Sequence, residues 1–227
     1  TPFYGTGERN GKGQTLEEFL EEYDPYRYKN PCCTTDTVVF SYKDEQALKE
    51  GRLKILLVKR GNHPSIGCWA LPGGFVNLRE NLEDTARREL EEETGVKDLP
   101  LEQFAVYGDY DRDPRTRVIT TAYLSLVNEQ DITVRAGDDA ADAAWCSLCL
   151  KEKEVHTGEV SRKVWQLHVS NEENGMDTRA EVEETCREGL IRERKFQVLT
   201  GGEIAVDHAA IIVQAMCILA DRLLEKR

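Results

Sequence analysis

An α/β sandwich built on a mixed β-sheet is the architecture this sequence predicts. Three observations predict it. Five separate runs are rich in β-branched and aromatic residues with partial period-two alternation, the pattern of half-buried strands. Two well-separated segments, Leu82–Thr94 and Asp207–Leu224, carry apolar residues at helical spacing. The chain of 227 residues is 40% apolar and 32% charged, a globular balance in which helices and strands share one core.

Taken in order, residues 1–14 are polar and contain several glycines, so an arm is expected there. Leu16 to Tyr23 places Leu16, Phe19, Leu20 and Tyr23 on one helical face; a helix so short is marginal in water and needs something to dock on. Pro25 and Pro31 then interrupt the chain. The strand runs are Thr37–Tyr42, Leu53–Lys59, Phe104–Gly108, Val118–Val127 and Ala143–Leu148. Beyond Leu150 the chain turns polar, with a strand expected at Val164–Val169 and a helical pattern near Thr178–Glu188, where EVEETCREG reads as a solvated helix. The final helix has Ile211, Ala215, Ile218 and Arg222 in line. The expected division is an N-terminal arm and short helix over 1–30, and a main domain over 31–227 with an inserted region at about 150–200.

Thirty basic residues against 42 acidic ones leave a net charge of −12. Such a surface repels phosphate backbones and anionic lipid, so neither nucleic acid nor membrane is an expected partner. A local basic pocket for a small anion remains compatible with it. No apolar run approaches the roughly 18 residues of a membrane span, and the start has no apolar leader region. Seven scattered cysteines fit a reducing cytoplasm better than a disulfide framework. Cys146 and Cys149 lack the second pair that structural zinc needs.

The chemistry concentrates in residues 70–96, ALPGGFVNLRENLEDTARRELEEETGV. Glu89, Glu92 and Glu93 stand at i, i+3 and i+4, on one helix face. At roughly 5 Å and an effective dielectric near 20, one such pair costs on the order of 3 kcal/mol. Arg87 and Arg88 offset part of it. A hard divalent cation offsets far more, because Mg²⁺ prefers carboxylate oxygens. Asn81 is a suitable N-cap with Asp84 three residues on, and Gly95 suits the left-handed C-terminal turn. Pro72-Gly73-Gly74 forms a tight loop before the helix, where glycines permit close backbone approach.

This segment resembles the Nudix box: Gly, five residues, Glu, seven residues, then Arg-Glu-apolar-x-Glu-Glu-x-Gly-apolar. Those places are held by Gly74, Glu80, Arg88, Glu89, Leu90, Glu92, Glu93, Gly95 and Val96. The resemblance implies an α/β/α sandwich and hydrolysis of a nucleoside diphosphate linked to another group, with Mg²⁺ or Mn²⁺ as cofactor. It implies Glu89, Glu92 and Glu93 as metal ligands, completed by the backbone carbonyl of Gly73. It implies further that Glu80 pairs with Arg88 and braces the loop against the helix. Beyond the box, the stretches at 23–149 and 203–225 look like the ADP-ribose pyrophosphatase-like branch. ADP-ribose or a related sugar nucleotide is therefore the expected substrate, and a homodimer is expected by analogy, with the N-terminal helix at its interface.

The segment GDYDRDPRTR adds cations to an acidic chain. Arg112, Arg115 and Arg117 are candidate substrate contacts, since a guanidinium fork suits a diphosphate; Arg60 and Gly74 are weaker ones. Pairing with Asp109, Asp111 and Asp113 is the plainer alternative for that loop. Trp69 and Phe75 are expected in the core rather than against an adenine, and His208 in a buried or capping role. The general base is not identifiable; Glu152, Glu154 and Glu159 are possible, as are Glu92 and Glu93. Two other functions compete. One is a Nudix hydrolase for a dinucleotide or a nucleoside triphosphate. The other is a ligand-sensing regulator, disfavoured by the complete box, the net charge and a final helix that reaches the end of the chain at Arg227.

Overall fold

A computed structural model describes residue 3, residues 5–131 and residues 143–225. Residues 1, 2 and 4 of the expected arm, and 132–142 and 226–227 of the expected main domain, lie outside the described residues. The chain divides into two units, Thr1–Pro31 and Cys32–Arg227. In the first, α1 (Leu16–Glu22) opens on a capping box. The Glu18 N–H donates to Thr15 Oγ1, and the Thr15 N–H to the Glu18 carboxylate at 2.8 Å. The rings of Phe19 and Tyr23 meet at 5.7 Å, and no residue of α1 is buried.

The second unit holds a sheet that comprises, among the described residues, β1 (Cys32–Tyr42), β2 (Leu53–Lys59), β3 (Trp69–Ala70), β4 (Gly73–Phe75), β5 (Glu102–Tyr107), β6 (Val118–Asn128), β7 (Ala143–His156), β8 (Ser161–Asn171), β9 (Met176–Arg187) and β10 (Glu193–Thr200). The order is β10-β9-β8-β7-β2-β1-β6-β5, with β3 beside β2 and β4 beside β1. β1 and β6 run parallel along their whole length while the other named pairs are antiparallel, so the sheet is mixed. Alternation along β1 builds the sandwich. Val38 and Phe40 face one core, which includes Ile211, Ile212 and Ala215 of α4 (His208–Glu225). Val39 faces the other, with Leu90 of α3 (Leu82–Thr94). The short α2 (Glu45–Lys49) is capped by Asp44, whose carboxylate accepts the Ala47 N–H at 2.8 Å.

The region after Leu150 corrects the expectation. Where a helical pattern was expected near 178–188, residues 178–187 form most of β9. Its Met176, Thr178, Ala180, Val182, Glu184 and Cys186 are buried in strict alternation. Glu, Arg and Ala favour helix intrinsically, but pairing on both sides with β8 and β10 outweighs that preference. The buried Glu184 is satisfied by the Trp165 indole N–H at 2.7 Å and by Arg194. Residues 143–200 therefore extend the sheet as an antiparallel meander.

Candidate active site

Gly73 and Gly74 lie at the crossing of β1, β4 and α3, and each is glycine for a visible reason. A Cβ on Gly73 would sit 2.0 Å from the Thr35 carbonyl oxygen; one on Gly74 would sit 2.4 Å from the Glu89 carboxyl carbon. The loop thus presses directly on the acidic face of α3. Asn81 is the N-cap residue, although its side chain bonds Asp84 rather than a backbone amide, and Gly95 ends the helix at φ 70°.

Arg88 organises that face. Its Nε and one terminal nitrogen donate to the two Glu80 oxygens at 2.8 and 2.9 Å. The other terminal nitrogen donates to Glu89 at 2.6 Å and Glu92 at 3.1 Å. The same guanidinium reaches the Phe75 carbonyl at 3.2 Å. Glu80 also accepts from the Thr85 hydroxyl at 2.8 Å. Arg88, then Thr85 and the Asn77 N–H, hold the Glu80 carboxyl at about 2, well below the usual range. Glu93 is the opposite case. Burial pushes it up to about 7, helped by Glu89 and Asp36, while the Gly73 N–H, 2.9 Å away, and Arg60 pull against the shift.

In this arrangement Glu89 and Glu92 turn to Arg88 and Glu93 to the Gly73 N–H. Among the described residues the expected carboxylates therefore do not converge on one point. The donor set nonetheless fits a hard divalent cation. Three carboxylates at i, i+3 and i+4 share one face of a rigid helix, so side-chain rotation suffices to gather them. Gly74 leaves Glu89 room beside the loop that a Cβ would fill.

Next to this face opens a cleft of about 240 Å³. Of the sequence candidates it takes Gly73, Gly74, Glu93, Arg60, Arg112 and Arg115 into its walls. Arg117 lies elsewhere; it is exposed, and its carbonyl accepts the Cys32 N–H at 2.9 Å. Glu152, Glu154 and Glu159 do not line the cleft. Arg115 is paired with Asp113 at 2.8 Å, as the alternating charges of its loop suggested, and stands 5.3 Å over the Phe75 ring. Phe75 is no core residue: it is 45% exposed at the cleft, whereas Trp69 is buried. Arg112 is paired with Asp207, outside its own loop. Sequence reasoning missed Asp36 and Asp207. Asp36 is buried in the cleft wall, where it accepts from the Thr120 hydroxyl at 2.7 Å. A lone charged residue in a strand otherwise free of charge, TTDTVVFSY, was the available signal.

A family model of the NUDIX domain matches residues 35–164, more than half of the chain. The chain belongs to the NUDIX family. As a NUDIX protein it is 44% identical over 142 residues to the ADP-ribose pyrophosphatase of Methanocaldococcus jannaschii, covering 63% of this chain and 76% of that one. It is 41% identical over 114 residues to the ADPR responsive transcriptional repressor NtrR of Acinetobacter baylyi, covering 49% of this chain and 43% of the repressor. The match thus spans less than half the repressor's length. A crystal structure of a MutT/nudix family protein from Enterococcus faecalis aligns with a TM-score of 0.63 at 33% identity, over 92% of this chain and 70% of that one. That likeness, with α3 and α4 on opposite faces of the mixed sheet, is the NUDIX α/β fold the sequence predicted.

Proposed function

We propose that this NUDIX chain is a pyrophosphohydrolase that cleaves ADP-ribose, or a related sugar nucleotide, into two phosphomonoesters. The observation that carries the reading is the junction of two features. The acidic face of α3 meets, at Gly73 and Gly74, a cleft whose walls hold Arg60, Arg112 and Arg115. The likeness to an ADP-ribose pyrophosphatase supports the substrate class. Glu89, Glu92 and Glu93, with the Gly73 carbonyl, would hold Mg²⁺ or Mn²⁺. When bound, such an ion neutralises a diphosphate and activates a water molecule. The chain's own work is positioning. Glu80 holds Arg88 and thereby the box loop against α3. The arginines bind the diphosphate, and Phe75 with Arg115 over its ring offers a flat surface at the cleft. Glu93 is raised to about 7 by burial while no ion is present, and a bound cation would hold that carboxylate ionised.

The same reading places the protein as a homodimer in the cytoplasm, where its seven free thiols persist. A second reading, an ADP-ribose-responsive regulator, is favoured by the likeness to the repressor. A hydrolysis panel separates them: ADP-ribose, NADH, diadenosine polyphosphates and nucleoside triphosphates, each with Mg²⁺ or Mn²⁺. Fast cleavage of ADP-ribose is expected. Tight ADP-ribose binding without cleavage of any phosphoanhydride would reverse the order of the two readings.

A further inference from the structure

The last helix begins inside the cleft. Asp207 precedes α4, and its carbonyl accepts the Ala210 and Ile211 N–H groups at 2.9 and 3.3 Å, the role of a residue that opens a helix. An aspartate in that place ordinarily turns its carboxylate onto the helix's own amides. Here the carboxylate takes the Arg112 guanidinium in a two-pronged pair at 2.8 and 2.7 Å, across 95 residues of sequence. Arg112 is thereby held with its side chain only 6% exposed while still forming part of the cleft wall.

The next residue reaches the other side of the same cleft. His208 is buried, and its Nδ1 accepts the Leu71 N–H at 2.9 Å. A ring nitrogen that accepts cannot carry the proton, so the proton resides on Nε2, which lies 3.6 Å from Asp36 Oδ1. Leu71 leads directly into Pro72, Gly73 and Gly74, the loop that contacts Glu93 and Glu89. Asp36 stands between the two arms, 3.7 Å from Arg112 as well. The backbone is strained just before this pair: Val206, β-branched, has φ 49°. Such a conformation costs of order 1–3 kcal/mol and persists only where its surroundings enforce it.

We infer that Asp207 and His208 are positioning residues of the cleft: Asp207 sets Arg112 against the substrate, and His208 sets the Leu71–Gly74 loop against the glutamates of α3. One dipeptide thus fixes the spacing between the phosphate-binding wall and the acidic face. The inference rests on the pyrophosphohydrolase reading of this cleft.

The test compares the full chain with Asp207→Asn, His208→Leu and His208→Asn, using ADP-ribose and Mg²⁺, with kinetics, calorimetric binding of ADP-ribose and thermal midpoints for each. Losing a hydrogen bond to a charged group is worth about a tenfold change or more. Asp207→Asn is expected to raise KM and Kd about tenfold with kcat within about twofold, because Arg112 contributes binding. His208→Leu is expected to lower kcat about tenfold with little change in Kd. His208→Asn, whose amide oxygen can still accept the Leu71 N–H, is expected to recover most of that loss. Variants that match the parent overturn the inference. So do variants that lose kcat alike, in step with their thermal midpoints, at constant Kd. If the parent binds ADP-ribose but cleaves nothing, the hydrolase reading fails, and the Kd of Asp207→Asn still decides the Arg112 half. If the parent neither binds nor cleaves, both fall.

Discussion

Glu80 and Glu92 contact the same guanidinium yet serve different ends. Glu80 is largely shielded, doubly bonded to Arg88 and held at about 2. Its carboxyl releases its proton more readily in the folded chain than in the unfolded one. It therefore stabilises the fold fully above its ordinary value of 4.5, and that contribution disappears as pH falls toward 2. Glu80→Gln should be less stable than the parent at neutral pH. The gap between their urea midpoints should narrow steadily from about pH 6 to about pH 3. Glu92 is 59% exposed on the open side of the face. Exchanging it for Gln removes one donor from the proposed ion site and little packing. Glu92→Gln should therefore lower turnover of ADP-ribose by about a hundredfold or more while leaving the circular dichroism spectrum and thermal midpoint near those of the parent. A near-normal rate in that variant would refute the ligand assignment.

Among the elements, β4 and β9 show what neighbours impose. The two glycines of β4 meet different obstacles. Gly73→Ala drives a methyl into the Thr35 carbonyl of β1, which cannot give way without loosening the strand pairing. Gly74→Ala meets only the end of the Glu89 side chain, which can swing aside. Denaturant unfolding should show Gly73→Ala losing about 2–3 kcal/mol, Gly74→Ala much less. Activity should fall in both, in Gly74→Ala because Glu89 is displaced. On β9, Glu184 is 3% exposed by side chain and balances the part-buried Arg194, which also reaches Asp221 of α4. Glu184→Ala takes away the nearer of the two carboxylates on that cation and strands the Trp165 indole N–H, and should cost about 3 kcal/mol in urea unfolding at neutral pH. Its burial could not be seen in EVEETCREG taken alone. The alternation of Met176, Thr178, Ala180 and Val182 was present in the sequence. It is outweighed there by residues that prefer helix, and only the flanking strands decide between the two periods.

At the scale of the molecule, the buried clusters among the described residues begin at Val38. A variant lacking residues 1–31 should therefore keep a cooperative thermal transition and ADP-ribose turnover per folded chain. If α1 mediates the proposed homodimer, light scattering of that variant should give a monomer mass; an unchanged dimer would reject the assignment. The acidic surface has a consequence at this scale too. The net charge of −12 acts over the whole surface, whereas Arg60, Arg112 and Arg115 act at short range inside one cleft, so an acidic chain can still offer a local basic wall to the proposed anionic substrate.

Local physics made α3, β2, β6 and the second half of β1 legible from residues alone: the strands are β-branched and aromatic runs, caps and breaks are near in sequence, and the spacing of the glutamates is set by the helix itself. The acidic face and its loop were legible for the same reason. What the sequence could not decide were contacts whose partners lie far apart along the chain. That Asp207 rather than Asp109, Asp111 or Asp113 takes Arg112, that Phe75 stands exposed beneath Arg115, and that Asp36 is buried next to His208 all depend on how the sheet brings distant segments together. Charge and hydrogen-bonding capacity are properties of a residue, but pairing is a property of distance, and distance between remote residues exists only once the chain has folded.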